Sequence, residues 1–354
     1  MRVLLATDTV GGVLTYTTEL AAALESRGEE VVVATMGPRL RPEQRALLPG
    51  VPHESEFRLE WMEDPWDDVD AAGEWLLALE REERPDVVHL CSYAHGSLPF
   101  AAPKVLVAHS CVLSWWRAVH GAEAPASWDA YRERTGAGLA AADAVVAISR
   151  AMLHELERDH YLPPGRVGVI HNGTAPAAAG WAPKRPLVLG SGRFWDPAKN
   201  LAALDAAAQD LPWPVLVAGE IGAAGAPRHA RATGVLAPAE LAELRREAAI
   251  YAAPALYEPF GLGILEAARD GCALVLGDIP SLRELWDDAA IFVDPGDHGA
   301  LGDVLEALIA APALRAELAE ASRRRAAAHP IEGTARGYRR LYKKLIATRA
   351  EVRS

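Results

Sequence analysis

Two glutamates in the second half of the chain, Glu258 and Glu266, are separated by seven residues that include Pro259, Gly261 and Gly263. Apolar residues recur at helical spacing after Gly261, which predicts a helix that begins there and has Glu266 in its first turn. Glycines at a helix start let a ligand approach bare backbone N–H groups, and those groups with the helix dipole favour a phosphate. Carboxylates accept hydrogen bonds from sugar hydroxyls. The stretch therefore indicates a ligand that is part phosphate and part sugar.

Each glutamate also has an ordinary structural interpretation. A glutamate in the first turn of a helix is often only a favourable partner of the helix dipole. A Glu-Pro pair is often only a turn. Either feature alone is more often structural than functional, whereas both glutamates together with Phe260 and the two glycines make a specific pattern.

Two cations, Arg193 and Lys199, lie six positions apart in one loop that follows a predicted strand, Leu187 to Gly190. From one loop, a guanidinium and an ammonium can both reach a diphosphate. A solvated surface position is the usual alternative for such residues, and their shared loop favours the phosphate site.

Composition limits the class of protein. The chain has 354 residues, which suggests about two domains. Its three cysteines include no C-x-x-C pair, which indicates neither a zinc site nor a disulfide framework and favours a reducing, cytoplasmic location. No run of 18 apolar residues is present, so no transmembrane helix is expected.

Charge is unevenly distributed along the chain. Residues 1–172 carry 15 Lys and Arg against 26 Asp and Glu, a balance of −11, and the rest carries 21 against 22. Such an acidic first half disfavours nucleic acid and anionic lipid as partners. The last 19 residues are basic, with seven Lys and Arg and one Glu, which we interpret as a solvated amphipathic helix end. Membrane contact by this segment remains the less favoured alternative, and the sequence indicates no oligomeric state.

The order of apolar segments alternates strand and helix twice over, which predicts two doubly wound α/β domains. We expect an N-terminal domain at 1–172, a Pro- and Ala-rich linker at 173–186, a C-terminal domain at 187–335 and a final helix at 336–354. Residues 54–70 are expected to form a surface loop. The first strand is followed by Gly11-Gly12 rather than G-x-G-x-x-G, and the second strand ends without an acid, which disfavours a nicotinamide enzyme.

Several residues of the first domain are candidates for binding. His109 comes directly after a predicted strand, where parallel sheets bind ligands, although a lone histidine is usually structural. Tyr16, Tyr93, Trp115 and Trp116 offer flat surfaces for stacking on a sugar ring. Core packing is the alternative for each of these aromatic residues.

In this order the motifs resemble the retaining glycosyltransferases of family 4, which have the two-domain GT-B fold with two Rossmann-like domains facing across a cleft. The resemblance covers nearly the whole chain, is strong over residues 187–300 and is thin over residues 36–84. The motifs that carry it are Gly11-Gly12, His109, Ala147-Ile148-Ser149, Asn172-Gly173, Gly192-Arg193, Lys199-Asn200, the Glu258–Glu266 stretch and Ala335 to Tyr342.

The resemblance implies that the domain at 1–172 binds the acceptor, that the domain at 187–335 binds the nucleotide sugar, and that the helix at 336–354 packs back on the N-terminal domain. The four aromatic residues of the first domain are then the candidates for acceptor binding. The resemblance also implies a role for each matching residue. Arg193 and Lys199 take the place of a divalent metal, so no metal is expected. Glu266 accepts from the ribose hydroxyls, whereas Glu258 and His109 hold the donor sugar. The remaining implied donor contacts are Gly12 for the distal phosphate, Phe260, Gly261, Leu262 and Gly263 for the donor sugar through their backbone, and Val235 and Leu236 for the base.

The favoured function is therefore metal-independent, retaining transfer of a sugar from a nucleoside-diphosphate sugar, UDP rather than GDP, to a hydroxyl of a sugar or small molecule. Catalysis is assigned to Glu258, His109, Arg193 and Lys199. A retaining glycosidase could also use two carboxylates, but the phosphate site argues against hydrolysis. A nucleotide-sugar 2-epimerase and a non-catalytic nucleotide-sugar-binding protein remain alternatives.

Overall fold

Two α/β units, each built on a parallel sheet, make up the chain. The computed structural model of the protein describes residues 1–176, 183–222 and 225–353, without the side chains of residues 352 and 353. One unit comprises Met1–Gly173 with the last helix, and the other comprises Thr174–Pro330. Residues 177–182 of the predicted linker lie outside the described residues.

The first unit contains a seven-stranded parallel sheet. Its strands are β1 (Arg2–Asp8), β2 (Glu30–Met36), β3 (His53–Glu54), β4 (Val87–Leu90), β5 (Lys104–Ala108), β6 (Ala144–Ala147) and β7 (Val167–Val169). Their spatial order is β3-β2-β1-β4-β5-β6-β7, so the order reverses between β1 and β4. Ligands of doubly wound sheets bind at the carboxyl ends of strands beside such a reversal.

Helices connect these strands. They are α1 (Gly12–Glu25), α2 (Pro42–Arg45), α3 (Trp66–Glu83), α4 (Val112–His120), α5 (Asp129–Ala141) and α6 (Arg150–Asp159). Ser149 caps α6, since its hydroxyl accepts from the Met152 N–H at 3.0 Å.

The predicted loop at residues 54–70 is corrected by the structure. Glu54 belongs to β3, and α3 begins at Trp66. Between them the Leu59 and Glu60 side chains are buried. The buried Glu60 carboxylate accepts hydrogen bonds from the backbone N–H groups of Tyr93 and Ala94, both at 2.8 Å.

The second unit contains a six-stranded parallel sheet. Its strands are β8 (Arg185–Ser191), β9 (Val215–Ala218), β10 (Arg231–Gly234), β11 (Ala248–Ala253), β12 (Ala273–Gly277) and β13 (Ala290–Val293). Their order is β10-β9-β8-β11-β12-β13, which reverses between β8 and β11. The loops that follow β8 and β11 are those that carry Lys199 and Glu258, so the chain topology brings them together.

The helices of this unit are α7 (Leu201–Ala207), α8 (Pro238–Glu247), α9 (Leu262–Arg269), α10 (Pro280–Trp286), α11 (His298–Ala310) and α12 (Pro312–Ala327). They pack on a core of fully buried aliphatic side chains from the sheet and from α7 and α11, among them Val188, Ile250, Leu301 and Leu305.

The last helix, α13 (Ile331–Arg353), begins five residues before the predicted start at residue 336 and packs against α1. Tyr338 and Tyr342 are fully buried on this helix. Arg339 pairs with Glu29, and Arg349 Nη2 donates to the Phe100 carbonyl at 3.0 Å. These two arginines are therefore partly buried in contacts within the unit, whereas Arg340, Lys343 and Lys344 of the same helix are exposed.

Candidate active site

An ion pair between Lys199 and Glu258 lies at the point where the strand order of the second sheet reverses. Lys199 Nζ is 2.7 Å from Glu258 Oε2, and the two side chains are 18% and 21% exposed. Both side chains are thus partly buried rather than freely solvated. The two sequence motifs that predicted phosphate and sugar contacts are joined here by one contact.

Backbone geometry fixes the two loops against each other. Leu256 N–H donates to the Ala198 carbonyl at 2.9 Å, and Asn200 Nδ2 donates to the Pro254 carbonyl at 2.9 Å. Asn200 reaches this position in a left-handed conformation with φ 55°, which asparagine tolerates better than most residues. Ser281 of α10 donates to the Glu258 carbonyl at 2.5 Å. The position of the Glu258 carboxylate therefore depends on three different segments.

The electrostatic environment keeps Glu258 ionised. Burial raises the pKa of the Glu258 carboxyl, but the adjacent Lys199 ammonium and the more distant Arg193 lower it by more in total. The net pKa lies below the ordinary value of a glutamate, so Glu258 is a hydrogen-bond acceptor at neutral pH.

The start of α9 is the candidate anion site that the glycines predict. Gly261 has φ 84° and precedes the first helical residue, Leu262. This left-handed conformation favours glycine, and a Cβ at Gly261 would lie 2.7 Å from Ile264 Cδ1, so the end of the Ile264 side chain would have to shift. The first N–H groups of a helix have no acceptor within the helix, and they carry the positive end of its dipole.

Two hydroxyl groups, those of Tyr251 and Ser191, lie next to the backbone of this helix start at Gly263. Tyr251 Oη and Ser191 Oγ lie 2.8 Å apart, and a Cβ at Gly263 would be 3.0 Å from Tyr251 Oη. Phe260 turns its ring into the unit, where it is 2% exposed and packs edge-on against His329 at 6.1 Å. Its side chain is therefore part of the core.

Glu266 is the fifth residue of α9 and lies in the second turn, so the predicted first-turn position is wrong. The helix begins one residue after Gly261, which carries Glu266 beyond the free N–H groups. The interpretation of Glu266 as a simple dipole partner is weaker for that reason. Its Oε2 lies 3.2 Å from Nη1 of Arg245, a residue of α8 that the sequence did not single out.

Arg193 lies in the same loop as Lys199 and is more exposed. Its side chain is 35% exposed, 3.9 Å from the Asp196 carboxylate, and its guanidinium lies 5.3 Å from the centre of the Trp195 ring. The two residues predicted to pack a base follow the edge strand β10: Val235 is 57% exposed and Leu236 is half-buried.

In the first unit, Gly12 begins α1 directly beyond the β1 loop and is exposed. His109 follows β5, as predicted, and its ring lies 4.5 Å from that of Tyr16 in an edge contact. Its Nε2 is buried and has no hydrogen-bond partner among the residues that the structure describes. Burial lowers the pKa of His109 to about 3, so the ring is neutral.

The acceptor candidates divide into two pairs. Tyr16 is 1% exposed with its hydroxyl 3.2 Å from His89 Nε2, and Tyr93 is 2% exposed and donates to the Ser110 carbonyl at 2.6 Å. Both rings are buried, which corrects their interpretation as stacking surfaces. Trp115 and Trp116 lie half-buried on α4 with ring centres 6.0 Å apart.

One Asp-x-Asp triplet, a pattern that can hold a metal, is present at Asp68-Val69-Asp70. It lies inside α3, where Asp70 pairs with Arg134. Across the described ranges, no three His, Cys, Asp or Glu side chains are grouped as metal ligands. In the same residues no helix is long and apolar enough to span a membrane.

Comparisons with known proteins agree with this geometry. The family model "Glycosyltransferase Family 4" matches residues 10–177, and "Glycosyl transferases group 1" matches residues 174–325. The alpha-maltose-1-phosphate synthase of Mycolicibacterium smegmatis is 29% identical over 75% of this chain and 82% of its own length. The structure of sucrose-phosphate synthase from Thermosynechococcus elongatus has a TM-score of 0.80 at 21% identity, covering 98% of this chain and all of that one. The structure of Anabaena HepE in complex with UDP-glucose has a TM-score of 0.73 at 16% identity, covering 99% of each chain.

The two Rossmann-like units, each with a reversal in strand order, have the GT-B fold. The two family models together account for residues 10–325, and the chain belongs to the family 4 glycosyltransferases. The relatives and structures named here do not favour an epimerase.

Sequence reasoning missed the residues that support the site. Arg245 carries no distinguishing pattern, because Arg246 stands beside it on the same helix end. Tyr251 lies within an apolar strand, so the sequence predicts only a core position for it. Ser281 could have been recognised only from the packing of α10, since an isolated serine after proline is common at a helix start.

Proposed function

We propose that this glycosyltransferase moves a sugar from a nucleoside-diphosphate sugar to a hydroxyl of a sugar or small molecule, with retention of configuration and without a metal. The observation that carries the proposal is the Lys199–Glu258 pair beside the N-terminus of α9. It combines a cation and free N–H groups for a diphosphate with a carboxylate for sugar hydroxyls.

The donor is held in two parts. Lys199, Arg193 and the N–H groups at the start of α9 bind the diphosphate, and Gly12 of the first unit adds a backbone donor to the distal phosphate. Glu258 accepts from hydroxyls of the transferred sugar, with His109 as a further sugar contact. Glu266 accepts from the ribose hydroxyls, while Val235 and Leu236 cover one face of the base.

Transfer then needs no added acid or metal. The bond between the anomeric carbon and the phosphate oxygen breaks, and the acceptor oxygen bonds to that carbon on the same face. The proton of the acceptor hydroxyl moves to the departing phosphate. Fixed cations at the diphosphate stabilise the charge that develops as this bond breaks.

UDP-sugars are the donors we favour, and the UDP-glucose complex of Anabaena HepE is the reason to test them first. We place the acceptor at the first unit, where Trp115 and Trp116 provide ring surfaces.

The acidic balance of residues 1–172 favours a neutral or weakly charged acceptor over an anionic membrane. The ion pairs of Arg339 and Arg349 also leave fewer cations for lipid. Flotation with anionic vesicles at low salt should therefore leave the protein unbound.

The direct test is turnover with a panel of UDP-, GDP-, ADP- and TDP-sugars against neutral saccharides and sugar phosphates. We expect nucleotide release that depends on both donor and acceptor, and a product whose anomeric configuration by NMR matches the donor. Release of nucleotide with free sugar and no acceptor dependence would support hydrolysis or epimerisation instead. Binding without turnover across the panel would support the non-catalytic alternative.

A further inference from the structure

Arg245 lies between two carboxylates, that of Glu266 in α9 and that of Asp270, the residue that follows α9. Its Nη1 is 3.2 Å from Glu266 Oε2, and its Nε is 3.3 Å from Asp270 Oδ2. The Arg245 side chain is 5% exposed and that of Asp270 is 2% exposed, whereas that of Glu266 is 19% exposed. One guanidinium therefore connects a buried carboxylate to one that reaches the site.

The guanidinium is itself fixed in orientation. It is planar and presents its donors in a rigid fork, so holding Nε at Asp270 also sets the direction of Nη1. Asp270 is held in turn by Arg269, whose Nε is 3.1 Å from Asp270 Oδ1. The contact with Glu266 is made to Oε2, and no hydrogen bond from a described residue to Oε1 is found.

We propose that Arg245 is a positioning residue that holds Glu266 by Oε2 and aims Oε1 at the ribose hydroxyls of the bound nucleotide. A glutamate on a helix surface otherwise samples several rotamers, and ordering it on binding opposes affinity. The ion pair removes that freedom before the ligand arrives. This inference rests on the proposed nucleotide-sugar site and adds to it the residue that fixes ribose recognition.

A purely structural role is the alternative. In that case Arg245 would neutralise Asp270 and help α8 pack on α9, and its loss would weaken every ligand equally through a disturbed unit. Arg269 offers a matched control, because it also pairs with Asp270 while its side chain makes its other hydrogen bonds to Thr174 and Ala175.

The test compares binding of UDP and of 2′,3′-dideoxy-UDP by calorimetry, with GDP and ADP and their dideoxy analogues if UDP does not bind. Arg245→Met, Arg269→Met, Glu266→Gln and the Arg245→Met/Glu266→Gln double variant are measured beside wild type, with folding checked by circular dichroism and Tm. We expect Arg245→Met to weaken UDP binding about tenfold, as for loss of a charged hydrogen bond, and to leave dideoxy-UDP within about twofold of wild type. The double variant should be no weaker than Glu266→Gln alone, and Arg245→Lys should recover part of the loss.

Equal weakening of UDP and dideoxy-UDP by Arg245→Met, or equal effects of Arg245→Met and Arg269→Met, would overturn the inference in favour of the structural role. Unchanged UDP binding in Arg245→Met would also overturn it. If Arg245→Met fails to fold, the ratio of UDP to dideoxy-UDP affinity in Arg245→Lys decides, since an unchanged ratio contradicts positioning. Wild type that binds none of UDP, GDP, ADP and TDP contradicts the proposed function itself.

Discussion

Lys199 Nζ and Glu258 Oε2 lie 2.7 Å apart, which joins the loop after β8 to the loop after β11 across the reversal in strand order. The contact pairs a phosphate-type ligand residue with a sugar-type one. In the proposed mode of donor binding, Lys199 turns toward the diphosphate and Glu258 toward the sugar, so the pair lies at the boundary between the two halves of the proposed donor site.

Replacement of the loop cations should weaken donor binding. Lys199→Met and Arg193→Ala each remove one charged hydrogen bond, which costs roughly 1.5–3 kcal/mol of binding free energy for a UDP-sugar. Lys199→Met should also raise the pKa of Glu258, because the ammonium is its main opposing charge. Calorimetry with UDP-sugar measures the first effect, and unchanged affinity in both variants would contradict the phosphate assignment.

Gly261→Ala should damage both the fold and the ligand site. A left-handed residue other than glycine costs about 1–2 kcal/mol, and here the Cβ also meets Ile264 Cδ1. Gly28→Ala is the matched control, because Gly28 has φ 77° and no atom within 4 Å of its added Cβ. Both variants should lose unfolding free energy in urea, but only Gly261→Ala should also weaken UDP binding. Equal UDP affinity in the two variants would argue against an anion site at the start of α9.

Features of the fold that depend on a short stretch of sequence could be predicted, whereas features that depend on contacts between distant residues could not. Gly261, Ser149 and the strands other than the short β3 and the exposed β10 act through backbone conformation or apolar runs of a few residues, so their positions could be predicted. The helix α5 could not, because Gly136 and Gly138 interrupt its pattern; Gly138 is needed where the helix meets the Tyr93 carbonyl so closely that no Cβ fits.

Contacts between distant segments also lie beyond the sequence pattern. The Arg245–Glu266 pair depends on how α8 packs beside α9, and the burial of Tyr16 depends on α13, far along the chain. The aromatic residues Tyr16 and Trp115 have the same chemical character in the sequence. Only packing distinguishes the buried ring from the half-buried one.

Acid should destabilise the first unit through His89. This histidine is fully buried, with Nδ1 2.6 Å from Tyr342 Oη and Nε2 3.2 Å from Tyr16 Oη, and the Tyr338 and His109 rings lie nearby. Burial lowers the pKa of His89 to about 3, with a smaller contribution from His109. Because the folded pKa is below the unfolded value, the stabilisation is complete above about pH 6.5 and declines toward pH 3 by about 1.4 kcal/mol per pH unit.

The variant His89→Gln retains hydrogen-bonding groups and removes this titration. Urea unfolding at pH 7, 6, 5 and 4 should give a shallower decline for His89→Gln than for wild type, even if the variant is less stable at pH 7. Parallel curves would show that His89 is already protonated or accessible in the folded state.

Chelation of metals should leave the reaction rate nearly unchanged. Arg193, Lys199 and the start of α9 supply the positive charge at the diphosphate in the proposed mechanism. The measurement is the initial rate of transfer with and without EDTA, and with added magnesium or manganese. A rate that collapses with EDTA and returns with either metal would contradict metal independence.

The division of labour between Glu258 and Glu266 tests the account most directly. Calorimetry of UDP and of the UDP-sugar that supports turnover, against wild type, Glu258→Gln and Glu266→Gln, separates ribose from sugar recognition. Glu266→Gln should weaken both ligands by a similar factor, because both contain ribose, whereas Glu258→Gln should weaken the UDP-sugar and leave UDP within about twofold, as expected when a hydrogen bond to the sugar alone is lost. If both variants weaken UDP alone to the same extent, or neither changes the affinity for the UDP-sugar, the assignment of these two glutamates to a nucleotide-sugar site is wrong.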